Sequence, residues 1–153
     1  MAIYTYPEFK KASKKHLIAC ECLIDSLDKG YCSQNKNHIL TTIYYLSGYV
    51  FETILKFSLY SALNFDKNTN ITGLNVDSFT YNSNIKTHSL SNLKRDAESK
   101  NISLAPQYEV NKNLFLQWNS EMRYIETTSF SEEKIRSFFE FAKQTYITLQ
   151  SHK

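Results

Sequence analysis

Turn-forming residues are nearly missing from this chain. Among 153 residues there are 3 glycines and 2 prolines. A sandwich or barrel needs many more at its turns, so long helices are the expected outcome. Cysteine is scarce too. The 3 present, Cys20, Cys22 and Cys32, fit no common zinc spacing, and no His-x-x-x-His accompanies them. They read as free, reduced thiols, and neither a metal site nor a cofactor is expected. The start, Met1 to Lys15, is lysine-rich and lacks the apolar run of a secretory leader, so a cytoplasmic location is expected. The most apolar stretch, Ile39 to Phe65, carries Glu52 and Lys56 near its middle. Charges there disfavour a membrane span and favour a buried core helix. Phosphate loops, dinucleotide loops, His-Glu-x-x-His and nucleophile elbows are all missing. The net charge of +3 permits a polyanionic partner without demanding one.

What the chain does have is aromatic surface, with 11 tyrosines and 10 phenylalanines. These supply core volume, and the tyrosines require hydroxyl partners or water. The length suits one domain spanning 1–153. Helical periodicity predicts an all-α, up-and-down bundle. The first helix runs from Pro7 to Leu27, opened by a Thr5–Glu8 capping box, with Phe9, Ala12, His16, Ala19, Leu23 and Leu27 as its stripe and Gly30 as its stop. The second runs from Asn37 to Leu63, with one face of Leu40, Ile43, Tyr44, Ser47, Phe51, Ile54, Leu55, Ser58 and Ala62. Leu46, Val50 and Phe57 add a further apolar face, so this helix is either central in its bundle or part of a dimer interface. A polar loop follows over 64–86, with a short strand or turn near Val76 to Tyr81. A third helix starts at Thr87-His88-Ser89 and ends near Lys100, burying Leu90, Leu93 and Ala97. A fourth spans Tyr108 to Glu121, with Val110, Leu114 and Trp118 inward. A capping box at Ser129–Glu132 opens the fifth, which buries Ile135, Phe138, Phe139, Ala142, Tyr146 and Leu149.

Few residues carry obvious chemistry. Lys10, Lys11, Lys14 and Lys15 form a basic ridge, read as a solvated face before a phosphate site. Glu52 and Lys56 stand one turn apart in an apolar helix, where each needs a partner. Arg123, beside Tyr124, is the expected structural partner of Glu52; a ligand-facing role for the same residues is the other possibility. His88, at a helix start, either orients the loop or serves as acid, base or phosphate ligand.

The segment Tyr44-Tyr45-Leu46-Ser47-Gly48-Tyr49-Val50-Phe51-Glu52-Thr53-Ile54-Leu55-Lys56 resembles the long helix of the HEPN family, with a small residue four before a Glu and a Leu-Lys close after it. Thr87-His88-Ser89-Leu90 resembles that family's His-x-Leu helix start, and Trp118 to Tyr124 its Arg-Tyr segment. The resemblance extends from Leu40 to Leu149 and implies a helical bundle, commonly dimeric, with a cleft between protomers. Many members are metal-independent ribonucleases of toxin–antitoxin and phage-defence systems that use an Arg followed, after four to six residues, by a His. This chain departs from that pattern: none of Arg95, Arg123 and Arg136 has such a His.

The resemblance therefore implies a nucleotide- or RNA-associated binding module. Such a module would be a homodimer with a nucleotidyltransferase or antitoxin as partner, with Glu52, Lys56, His88, Arg123 and Tyr124 facing the ligand. The alternative is a metal-independent ribonuclease with a divergent site, in which His88 moves the proton of a 2′-hydroxyl and Arg123 or Lys56 stabilises the phosphorane.

Overall fold

A computed structural model describes residues 4–31 and 33–151; Cys32 and the chain ends lie outside the described residues. Five α-helices dominate: α1 (Pro7–Asp28), α2 (Lys36–Ala62), α3 (Leu90–Glu98), α4 (Tyr108–Gln117) and α5 (Glu132–Leu149). The 64–86 segment holds a two-stranded hairpin, β1 (Asn75–Val76) and β2 (Phe79–Thr80), followed by a single π-turn at Tyr81–Ile85. Asp77 and Ser78 turn the hairpin in the left-handed region, with φ of 50° and 71°, as a two-residue connection requires. Lys100 reaches across from the end of α3 to Asp77 and lies over the Phe79 ring, tying the hairpin to the bundle.

Contacts between the helices fix their directions. Ser13 donates to the Val50 carbonyl and Cys20 approaches the Ile43 carbonyl, so α1 and α2 run antiparallel. Tyr44 packs on Phe138 and Phe51 on Phe141, so α2 and α5 run parallel. Tyr108 lies against Phe141, and the Ala105 N–H just before α4 donates to Thr145, which sets α4 antiparallel to α5. The result is an up-and-down arrangement of α1, α2, α4 and α5, with α3 inserted in the long connection.

At the centre is α2, in which every residue from Val50 to Ser61 is buried. Of the second apolar face, Val50 is fully buried and Phe57 nearly so, while Leu46 is half-buried. Among the described residues no helix is long and apolar enough to cross a membrane.

Several helix ends differ from the expectation. Tyr6, not Thr5, occupies the N-cap of α1, with no side-chain cap bond, because Pro7 already supplies a pre-set first turn. Ser131, not Ser129, caps α5 by accepting from the Lys134 N–H. The buried seam of α1 is Ser13, Leu17 and Cys20, flanked by the half-buried residues read as its stripe. Val110 is solvent-exposed; Asn111 takes the inward position, its amide satisfied by the Gln107 carbonyl. Helix α4 stops at Gln117 instead of Glu121, because Trp118 turns to extended backbone, and a 3₁₀ turn over Ser120–Tyr124 follows.

Candidate functional site

Tyr45, Tyr49, Glu52 and Lys56 fall at i, i+4, i+7 and i+11, which places all four on one stripe of α2. Three other segments close on this stripe. Helix α1 brings His16, the turn before α3 brings His88, and the segment after α4 brings Trp118 and Arg123.

Tyr49 is the hub. Its ring centroid lies 5.5 Å from that of His16, 6.3 Å from His88, 5.0 Å from Tyr45 and 5.1 Å from Trp118. Burial pushes its phenol above the ordinary range, the hydrogen bond to Tyr45 and the charge of Glu52 add to this, and Arg123 opposes it. The guanidinium of Arg123 is thus near enough to act on both Tyr49 and Tyr45.

Gly48 explains how Trp118 reaches the site. A Cβ at position 48 would overlap the Trp118 indole. The bare backbone lets the ring pack directly against α2, where its Nε1–H donates to the Tyr45 carbonyl at 3.0 Å. That anchor is what pulls residue 118 out of α4.

Glu52 is buried, and its two oxygens are used differently. Oε1 lies 2.6 Å from His88 Nδ1, and Oε2 lies 3.5 Å from the Lys56 ammonium. The expected Glu52–Arg123 pair does not form. Arg123 instead is exposed and lies over the Tyr124 ring, 4.8 Å from its centroid. Geometry gives the reason: Lys56 already sits one turn away on the same stripe, and the turn before α3 delivers His88 to the other oxygen. Lys56 is buried beside Phe9, and burial lowers its ammonium pKa against the opposing pull of Glu52. It supports the carboxylate and does not face solvent.

His88 owes its position to local polar bonds. Thr87 Oγ1 accepts from the Ser89 N–H, and Ser89 in turn caps α3 by accepting from the Asn92 N–H. One step back, Asn84 ties the π-turn to Asp96 of α3. The imidazole is therefore fixed at Nδ1 by a buried carboxylate while its side chain remains 58% exposed. A carboxylate at one ring nitrogen fixes the tautomer and leaves the other nitrogen for a ligand or a proton.

In sequence, His16 is one member of the helical stripe of α1. The structure places it half-buried against Tyr49, where burial and then Lys15 lower its pKa while Glu52 pulls the other way. The signal that could have found it was the small-residue seam of α1 facing Ser47 and Val50, which brings His16 level with Tyr49. Of the lysine ridge, Lys10 and Lys11 are engaged by the Gln150 carbonyl and by Glu8. Among the described residues no group of three His, Cys, Asp or Glu side chains is arranged to hold a metal ion.

No protein-family model, curated protein or solved structure matches the chain.

Proposed function

We propose that this chain is an RNA- or nucleotide-binding module whose site is the α2 stripe around Tyr49. One observation carries the reading: an exposed histidine, held at Nδ1 by a buried carboxylate, beside a cluster of tyrosines and an exposed arginine. Protonated His88 donates Nε2–H to a phosphate oxygen while Glu52 balances its charge, and Arg123 supplies the second cation. Tyr124, which is 72% exposed, and the accessible edges of Tyr45 and Tyr49 offer apolar faces to bases. Aromatics interleaved with cations are what unpaired nucleotides require. Fluorescence anisotropy with a short single-stranded RNA tests this. His88→Ala and Arg123→Gln should each weaken binding, with unaltered melting for the arginine variant.

The Nδ1 hydrogen bond also favours a second reading, metal-independent RNA cleavage. Neutral His88 would take the proton of a 2′-hydroxyl at Nε2. That oxygen would attack the adjacent phosphorus and expel the 5′-oxygen, which gains a proton from water, leaving a 2′,3′-cyclic phosphate and a 5′-hydroxyl. Arg123 would stabilise the phosphorane. Incubation with RNA and a chelator separates the two readings. Binding alone predicts intact RNA; cleavage predicts product that falls ~10²–10⁴-fold in His88→Ala, the usual worth of a general base.

A homodimer, a nucleotidyltransferase or antitoxin partner and a role in toxin–antitoxin or phage-defence biology are proposed on the HEPN resemblance alone.

A further inference from the structure

A further cavity lies apart from the α2 stripe. It is an open groove of about 870 Å³, where the start of α1, the end of α2 and the last turn of α5 meet. Small-molecule sites commonly have this size. Its lining includes Lys10, Lys11 and Lys67 and, among the described residues, no carboxylate. Lys11 is matched by Glu8 across an exposed pair, whereas Lys10 and Lys67 have no carboxylate partner among the described residues. The Lys10 ammonium is fixed by the Gln150 carbonyl and lies over Phe57, 5.4 Å from its ring centroid. Asp66 stands next to Lys67, but its carboxylate is turned onto the Asn68 N–H and the Thr69 hydroxyl.

The floor is aromatic. Tyr6 is stacked on Tyr60, and Phe57 is covered by Lys10, so both rings are nearly buried. Phe65 is half-buried and is the floor ring with surface left to offer. Left-handed Asn64, at φ 54°, closes α2 and sets Phe65 back against Tyr60, which aims it at the groove.

We propose that this groove binds a nucleoside phosphate, with the base on Phe65 and the phosphate between Lys10 and Lys67. The lining is cationic, so the occupant is an anion. Its apolar ring asks for a flat hydrophobic partner, and a nucleotide carries both in one molecule. The proposal does not depend on the RNA reading, because none of its residues belongs to the α2 stripe.

Calorimetric titration of the whole chain with AMP and GMP tests it, with the nucleosides and inorganic phosphate as separate probes. The groove should take one nucleotide per chain, a stoichiometry that persists in His88→Ala. Lys67→Glu, an exposed change that leaves the fold intact, should weaken it about tenfold or more, the worth of one charge-assisted contact. Phe65→Ala should weaken the nucleotides while leaving the weak affinity for inorganic phosphate unchanged, and His88→Ala should leave binding at the groove unchanged. Three results overturn the proposal: no nucleotide binding at millimolar concentration, phosphate binding as tightly as the nucleotide, or affinity lost in His88→Ala and kept in Lys67→Glu.

Discussion

Burying a carboxylate and an ammonium one helical turn apart is costly unless each satisfies the other. Glu52 and Lys56 do so, with exposed His88 as a third member. Replacing Glu52 by Gln leaves Lys56 as an unpaired buried cation. The expected loss is about 3–5 kcal/mol, measured by chemical denaturation. In Glu52→Gln, Lys56→Met most of that loss should be recovered, because no buried charge remains. Arg123→Gln should leave the melting temperature unchanged, since its guanidinium is exposed and pairs with no buried group. His16 adds a pH dependence. Burial and Lys15 hold its folded pKa below the ordinary 6.5, so the unfolded chain binds the proton more readily. Its contribution to stability is complete above pH 6.5 and is lost as pH falls from there through the folded value. Glu52 and Tyr49 face it from α2, and Glu52 limits the shift. His16→Gln should flatten the acid side of the stability profile relative to the parent, which denaturation midpoints between about pH 5 and 7 would show.

At the scale of elements, a glycine inside α2 should cost helix stability of about 1 kcal/mol relative to alanine. Trp118 reverses that preference. In Gly48→Ala the new methyl meets the indole, and overpacking of this kind costs about 1–3 kcal/mol, more than the helix gains. Trp118 is the chain's one tryptophan, so its emission reports the displacement directly. A red shift with lowered stability is expected; unchanged emission would contradict the packing described. The N-cap of α5 is a second case. Ser131→Ala should destabilise by about 1 kcal/mol, while Ser129→Ala should have no such effect. Ser129 stands three residues before Glu132, the capping-box spacing, whereas Ser131 caps through the Lys134 N–H without a box partner. The choice between them is made by the tertiary path, since the Thr128 N–H is drawn to Thr41 on α2. Element existence was legible because 3.6-residue periodicity is a local property. The end of α4 was not, because a contact between Trp118 and a helix residue 73 positions earlier determines it.

For the molecule as a whole, the all-α bundle follows from few breakers and five amphipathic segments. The centrality of α2 required the structure, since an all-round apolar helix fits a core or a dimer equally well in sequence. Light scattering at micromolar concentration decides the oligomeric state, and a monomer of 17.9 kDa would leave the site intact, because one chain supplies all its residues. The site was half legible. Glu52, His88, Arg123 and Tyr124 stand out as polar residues in apolar or helix-terminal settings, whereas His16 and Tyr49 look like core spacing until α1 is laid against α2. The central claim, that the Tyr49 stripe is an RNA-binding surface, is tested most directly by anisotropy titration of a single-stranded RNA against the parent, His88→Ala and Arg123→Gln. The parent should bind in a salt-dependent manner, and both variants should bind more weakly. No binding by the parent at low salt, or equal affinity in all three proteins, would contradict it.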